Sequence, residues 1–336
     1  MLTILTAGTG LGVYIPGLLM QRALALRGVD VALAVLESLY TEAALLERER
    51  AVPAFQSDFR LAQLAHRRAR HDPARFDAAR VAAWQATLRG QRIAAWSGFW
   101  LPLLAHRPVA IDHCRIDAVV SASFEDCALR GGDREIWLWH EGALHWRLPV
   151  DARAPLPWAE RERGVVAHGG GWALGEFGVG IDDLPAGWTV DVLCGQRAMA
   201  VPRARVWRIA SDWRPWIGTP RFPPMAPAGS DDYSPASEHR AYELLRGARA
   251  VISKPGGGTL IESLSAATPL LMLPPFGAAE ARSGALWQSL GLGMPLADWL
   301  ARGGREDDLK AMHERLLAAR AGPSYIDGLA QEFACA

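Results

Sequence analysis

Lysine is nearly absent from this chain of 336 residues: Lys254 and Lys310 stand alone among many arginines. The bias reads as a habit of genome composition, and it singles out Lys254, which lies beside three glycines. Net charge is zero, so no global field favours nucleic acid or an acidic surface. The four cysteines, Cys114, Cys127, Cys194 and Cys335, have neither CxxC nor metal-ligand spacing. That excludes a zinc or dithiol motif and fits buried, reduced thiols of a cytoplasmic protein. No apolar run is long enough to span a bilayer. Met1 leads directly into an apolar strand with no basic segment before it, so no signal peptide is expected.

What is present suffices for two cores. Half the residues are apolar, and a chain of this length exceeds the usual size of one core. The pattern starts twice. Leu2–Ala7 reads as a buried strand, Gly8–Gly12 as a glycine loop, Ile15–Arg27 as an amphipathic helix and Asp30–Leu36 as a second strand. This is the opening of a doubly wound sheet. Gly8, Gly10 and Gly12 are followed by Val13, so the third glycine of the dinucleotide fingerprint is out of place. Glu37, after the second strand, is where an acidic ribose ligand of such a fingerprint would stand.

From Tyr40 to His106 the expectation is helical: 41–50, 57–70, 73–88 and 93–105. The last of these carries Trp96, Phe99, Trp100, Leu101, Leu103 and Leu104, and reads as core, acceptor pocket or membrane contact. Strands are expected at 116–121 and 135–139. Residues just past strand carboxyl ends face the crevice of a parallel sheet. That makes Ser121, Ser123, Glu125, His140 and Glu141 cleft candidates, each with the alternative of a loop residue bonded locally. The proline-bearing stretch 151–163 reads as a linker between a domain over 1–150 and one over 164–320, with 321–336 as a C-terminal helix that could return to the first domain. The second half repeats the pattern with strand 164–167 and the loop Gly169-Gly170-Gly171, strands at 189–193 and 205–210, and a Pro- and Gly-rich loop over 212–237.

Val251-Ile-Ser-Lys-Pro-Gly-Gly-Gly-Thr-Leu-Ile-Glu262 is the stretch that organises the rest. It reads as a buried strand, a glycine turn and a helix start, with Thr259 and Glu262 at capping-box spacing. Glycines let a backbone approach a ligand, and free N–H groups at a helix start attract anions. Three glycine loops in two similar halves suit a nucleotide held between two domains.

In these motifs the chain resembles the nucleotide-sugar glycosyltransferases of two-Rossmann (GT-B) architecture. The pattern is similar to the UDP-N-acetylglucosaminyltransferase of lipid II synthesis and to the macrolide and plant UDP-glycosyltransferases. The likeness is strongest over 249–296. It implies an α/β fold with two doubly wound domains facing across a cleft. It implies no cofactor beyond a nucleotide-sugar co-substrate, most simply a UDP-sugar, and a small-molecule or lipid acceptor. By resemblance, Gly257, Gly258 and Thr259 hold the diphosphate, with Gly170 and Gly171 nearby. Glu262 accepts from the ribose diol, Glu280 reads the donor sugar, and Gly10 and Gly12 face donor phosphate and acceptor. An inverting transfer is implied, with N–H donors stabilising the leaving diphosphate. No Asp-x-Asp pair occurs, in agreement with metal independence.

Two departures bear on chemistry. Many relatives place a base histidine three residues before the proline that follows the first loop, and counting back from Pro16 gives Val13, which cannot take a proton. Glu125, Asp126, His140 and His168 are the replacement candidates. The sugar-reading acidic residue is usually followed by glutamine. Here Ala281 and Arg282 follow Glu280, and an arginine there suits a sugar carboxylate. The rival readings are a nucleotide-sugar-binding relative without turnover, a nucleotide-sugar epimerase and a dinucleotide oxidoreductase.

Overall fold

The computed structural model describes residues 1–8, 10–69, 73–88, 92–105, 115–120, 133–170, 173, 180–196 and 200–335. Five strands form a wholly parallel sheet ordered β2-β1-β3-β4-β5: β1 Leu2–Thr6, β2 Val31–Val35, β3 Arg92–Ala95, β4 Arg115–Val120 and β5 Arg134–Trp137. A small hairpin, β6 Trp139–His140 and β7 Ala143–Leu144, follows it. Glu141 and Gly142 both have positive φ at its tip, the conformation that a two-residue type I′ turn demands. The second sheet is ordered β11-β10-β9-β8-β12-β13-β14. Its strands are β8 Glu162–His168, β9 Thr189–Leu193, β10 Arg205–Ile209, β11 Met225–Pro227, β12 Ala248–Ser253, β13 Leu270–Met272 and β14 Gly293–Pro295. Only β11 runs antiparallel.

Both strand orders reverse direction beside the first strand of their half, between β1 and β3 and between β8 and β12. Ligands of doubly wound sheets bind outside the carboxyl ends at such points. The register there is tight: Ser253 lies opposite His168 on one side and Met272 on the other. Leu2, Ile4 and Leu5 of β1 and Val251 and Ile252 of β12 are buried, as expected of strands covered on both faces.

The helices of the first half are α1 Leu11–Ala25, α2 Glu42–Ser57, α3 Phe59–Ala69 and α4 Ala78–Ala86, followed by the short Leu101–Ala105. Thr41 caps α2 by accepting the Ala44 N–H, and Asp77 caps α4 by accepting from Ala79 and Arg80. One expected helix is wrong. Residues 93–95 of the expected 93–105 helix are a strand inserted between β1 and β4. A short continuous apolar run fits a buried strand as well as a helix, and here pairing with β1 on one side and β4 on the other decided. Trp96, Phe99, Trp100 and Leu104 are buried, so these side chains are core and are not presented to a membrane surface.

The capping box at Thr259 is also wrong. The helix Gly257–Ala266 starts two residues earlier, with Gly256 as its N-cap and no side chain capping it. The expected linker 151–163 gives its last two residues to β8. Arg161, within that expected linker, is buried and donates to Ala248 O, Ala266 O, Thr268 Oγ1 and Leu156 O.

The two halves share one hydrophobic cluster, from Leu2, Ile4, Met20 and Trp96 to Tyr242, Leu260, Trp287 and Leu329. The helix Tyr325–Ala334 lies against α1, with Arg27–Asp327 at 2.5 Å, and reaches β3 through Arg92–Glu332 at 2.6 Å. No helix among the described residues is long and apolar enough to cross a membrane.

Candidate functional site

The carboxyl ends of β8 and β12 carry a cluster of polar side chains around a bare helix start. The first N–H groups of Gly257–Ala266 have no intrahelical acceptor, and no side chain caps them. His168, the last residue of β8, is buried beside them. Gly170 donates its backbone N–H to His168 Nδ1 at 3.1 Å, and Ser253 Oγ lies 3.3 Å from the same nitrogen. A backbone N–H can only donate, so Nδ1 is unprotonated and the ring proton sits on Nε2. Burial pushes the His168 pKa down to about 4, with Glu262 opposing and Lys254 assisting. At neutral pH this histidine is an uncharged donor through Nε2, and its basic nitrogen is already engaged.

Lys254 follows β12. It is only 8 % exposed, and its ammonium lies 5.2 Å from the ring centroids of both Phe59 and Phe276. Burial lowers its pKa and Glu280 partly restores it. Phe59 belongs to α3 of the first half, and its ring meets Phe276 edge to face at 5.1 Å. Gln63, one turn along α3, donates to Phe276 O. Phe276 in turn donates its backbone N–H to Glu280 Oε2 at 2.6 Å. A helix of the first half thus braces the loop of the second half that carries Glu280.

Glu262 lies on the helix Gly257–Ala266, one turn beyond Thr259. His239 donates from Nε2 to Glu262 Oε1 at 2.8 Å. The His239 ring stacks on Phe222 at 4.8 Å, and the guanidinium of Arg22 on α1 lies 4.3 Å from the centroid of that same Phe222 ring. Tyr14 of α1 clasps the same loop twice: its hydroxyl donates to Arg221 O and accepts from Arg221 N, both at 3.0 Å. The stretch 212–237 is therefore held against α1. Trp213 meets Tyr14 edge to face, and Arg214 pairs with Glu49 at 2.7 Å.

The first glycine loop faces this assembly. Gly8 donates to Glu37 Oε2 at 2.7 Å, and Arg48 donates to Gly8 O at 3.1 Å. Glu37 is fully buried, so its carboxylate holds the loop rather than a ribose. A Cβ on Gly8 would collide with Pro215 and lie 2.7 Å from the Trp216 ring. A Cβ on Gly258 would lie 2.8 Å from Gly12 Cα. The glycines of the two halves thus touch backbone to backbone, which no other residue permits at position 258.

The remaining candidates fall elsewhere. His140 is exposed on the β6–β7 hairpin, stacked on Trp137 at 4.1 Å and 3.5 Å from Glu141. Those contacts are local, while its neighbour Trp139 donates to Ser283 Oγ at 3.0 Å. Arg282 is exposed on the helix Ala278–Ser289. Gly10 is the N-cap of α1 and Gly12 lies in its first turn. Gly171, Ser121, Ser123, Glu125 and Asp126 lie outside the described residues. Sequence reasoning did not find His239, Phe59, Gln63 or Tyr14, whose partners lie 23 to 217 residues away.

No family model matches the chain, and no curated protein matches it by sequence. Solved structures do match. The glycosyltransferase SsfS6 of Streptomyces sp. SF2575, solved with thymidine diphosphate, is 14 % identical, with a TM-score of 0.53 over 100 % of this chain and 99 % of that one. The glycosyltransferase SnogD of Streptomyces nogalater is 15 % identical, with a TM-score of 0.51 over 100 % and 99 %. The fold is the GT-B architecture of two Rossmann-like sheets.

Proposed function

We propose that this chain is a glycosyltransferase that moves a sugar from a nucleoside-diphosphate donor to a small-molecule or lipid acceptor, with inversion and without a metal. The observation that carries the reading is the β8–β12 switch point. An uncapped helix start, a neutral histidine holding a free Nε2–H and a buried lysine stand together there. Each of these groups donates to an anion, and a fixed set of donors is what a leaving diphosphate requires. A GT-B fold with a neighbour solved with thymidine diphosphate supports the same ligand class.

In this reading Gly257 and Gly258 hold the diphosphate through backbone N–H groups, assisted by Thr259, Gly170 and Gly171. Lys254 supplies the charge, and its aromatic cage keeps it desolvated, where its field on a phosphate is strong. His168 donates from Nε2 and does not act as base. Glu262, oriented by His239, accepts from the ribose diol. Glu280, held by Phe276 N–H through one oxygen, reads the donor sugar through the other, and Arg282, two residues further along the same helix, serves an acidic sugar. UDP is the simplest donor nucleotide. A fixed donor array of this kind lowers a barrier by roughly several kcal/mol. The cytoplasm, where nucleotide sugars and reduced cysteines coexist, is the proposed location.

A second reading has one observation in its favour. Val13 occupies the usual base position and His168 is committed as a donor, which suits a relative that binds a nucleotide sugar without transferring it. Calorimetric titration with UDP and TDP, without added metal, tests what both readings share. Micromolar binding that Glu262→Gln weakens about tenfold is expected, since the amide still accepts from His239 but loses the charge that holds a diol. Absence of binding by either nucleotide would remove both readings. Release of nucleoside diphosphate from a nucleotide sugar over an acceptor panel then separates transferase from binder.

A further inference from the structure

Arg75 is a buried cation that pairs with no carboxylate among the described residues. It closes the turn Pro73–Arg75 ahead of α4. Its backbone is tied over the carboxyl end of β2: Thr41 donates to Arg75 O at 2.9 Å, and Asp77 donates to Leu39 O at 2.8 Å. The side chain turns into a cage of aromatic rings, 5.0 Å from the centroid of Phe76, 5.3 Å from Tyr40 and 5.9 Å from Phe99. The residue is 8 % exposed, and its Nε and Nη2 atoms are buried with no hydrogen-bond acceptor. Rings stabilise the charge but accept no N–H in its plane.

Which two atoms lack a partner matters. Nε and Nη2 form one edge of the guanidinium, the edge that grips a carboxylate with two parallel bonds. Arg205 shows that grip in this same chain, with Nε to Asp191 Oδ1 at 2.5 Å and Nη2 to Oδ2 at 2.8 Å. A third donor belongs to the same neighbourhood. Trp84 Nε1 is buried without an acceptor, on a ring packed 4.9 Å from Trp100. Tyr40, Phe99 and Trp100 belong to one hydrophobic cluster, with Phe76 and Trp84 packed on it. Two donors on Arg75 and one on Trp84, buried in one aromatic cluster without an acceptor, call for a group that brings oxygens and no protons. The cluster lies beyond the carboxyl ends of β2 and β3, the side where ligands of such a sheet bind. Phe76 and Trp84 are half-buried and pack on the outside of this cluster.

We propose that Arg75 and Trp84 bind the carboxylate of an apolar small molecule taken into the aromatic cluster of the first half. Resting on the transferase reading, that molecule is the acceptor, and its acid group sets acceptor specificity. A carboxylate fits better than a phosphate: it is planar, carries one charge to match one guanidinium, and tolerates ring walls on three sides.

Thermal unfolding and calorimetry of the full chain with benzoate, 3-phenylpropionate, benzamide and inorganic phosphate test this. Wild type should be stabilised by the two carboxylates in a dose-dependent way and not by benzamide. Arg75→Lys, which keeps the charge and loses the fork, should bind at least tenfold more weakly. Arg75→Met should fold, because it replaces an unpaired buried charge by an apolar chain of similar length, and should show no carboxylate response. Trp84→Phe should weaken binding several-fold and leave the fold intact. No carboxylate response in wild type, an equal response in Arg75→Met, or a response to phosphate in place of carboxylates would each overturn the assignment. Nucleoside-diphosphate binding without carboxylate binding sinks this inference alone. Carboxylate binding without nucleoside-diphosphate binding sinks the transferase reading and leaves the site standing.

Discussion

Replacing one glycine at the junction of the two halves should cost stability, while replacing the glycine that faces it should not. A Cβ at Gly258 would sit 2.8 Å from Gly12 Cα and 3.3 Å from Gly12 O. Both are backbone atoms, so no rotamer change relieves the clash. A Cβ at Gly12 has Gly258 N as its nearest neighbour, at 3.7 Å, an ordinary contact. Both residues lie in the first turn of a helix. Each Gly→Ala change therefore gains up to about 1 kcal/mol from lost unfolded-state freedom. At position 12 that gain stands alone, and Gly12→Ala should be neutral to about 0.5–1 kcal/mol more stable. At position 258 overpacking costs about 1–3 kcal/mol, because α1 and the helix Gly257–Ala266 must separate. The two variants should differ by roughly 2 kcal/mol, read as opposite shifts of the urea midpoint. Gly258→Ala should also bind nucleotide more weakly, since its helix start moves. Equal midpoints for the two variants would refute the backbone contact, and with it the closed arrangement of the glycine loops.

Three further outcomes follow from particular side chains. Arg161→Ala should destabilise by about 3 kcal/mol in chemical denaturation, because it strips partners from the buried carbonyls of Ala248 and Ala266; a loss below ~0.5 kcal/mol would mean Arg161 is solvated. His168 is held near 4 in the fold against about 6.5 unfolded, so the unfolded chain binds the proton first. Its stabilisation is complete above pH ~6.5 and is lost progressively toward pH ~4, about 3 kcal/mol in all. His168→Gln should flatten that part of the stability–pH curve, and an unchanged slope would show that His168 is not buried neutral. Tyr14→Phe should cost about 1–2 kcal/mol through the two lost bonds to Arg221, and should raise proteolysis within 212–237; unchanged protection would mean the clasp does not hold that loop.

How much of this was legible in the sequence follows from the range of each interaction. β1, β8 and β12 and their glycine loops are local patterns, and residues that adjoin in sequence carry them. Thr259 misled because Thr-x-x-Glu is a capping signal only where the threonine precedes the helix. Here three glycines satisfied the helix start without a side chain, and Thr259 became part of its first turn. Residues 93–95 misled because an apolar run reads alike as helix or strand until its neighbours are known, and those neighbours are β1 and β4. Nothing local marks Arg161 within the expected linker, because three of its four acceptors lie 87 to 107 residues further along. The Lys254 cage needed Phe59, almost 200 residues upstream, brought over by α3. Arg75 sat in an arginine-rich stretch, and nothing in its neighbours along the chain sets it apart.

The way the two halves divide the chemistry leads to a pH dependence. Val13 cannot accept a proton, and His168 has its basic nitrogen bonded to Gly170 N–H and its other nitrogen protonated. If barrier lowering comes from the diphosphate side, protonation of His168 does not control the transfer step near neutrality. His168 would charge only near pH 4, where its Nε2–H remains a donor but the Gly170 contact is lost. Once an acceptor is found, kcat should show no ionisation assignable to His168 between about pH 5.5 and 8, since burial holds its pKa near 4. His168→Gln, whose amide can donate in place of Nε2–H, should lose less than about tenfold in kcat, whereas removal of a true general base costs about 10²–10⁴-fold. A kcat that falls through a single ionisation near pH 6.5, abolished in His168→Gln, would make the histidine the base after all and would require the Gly170 contact to break in the working complex.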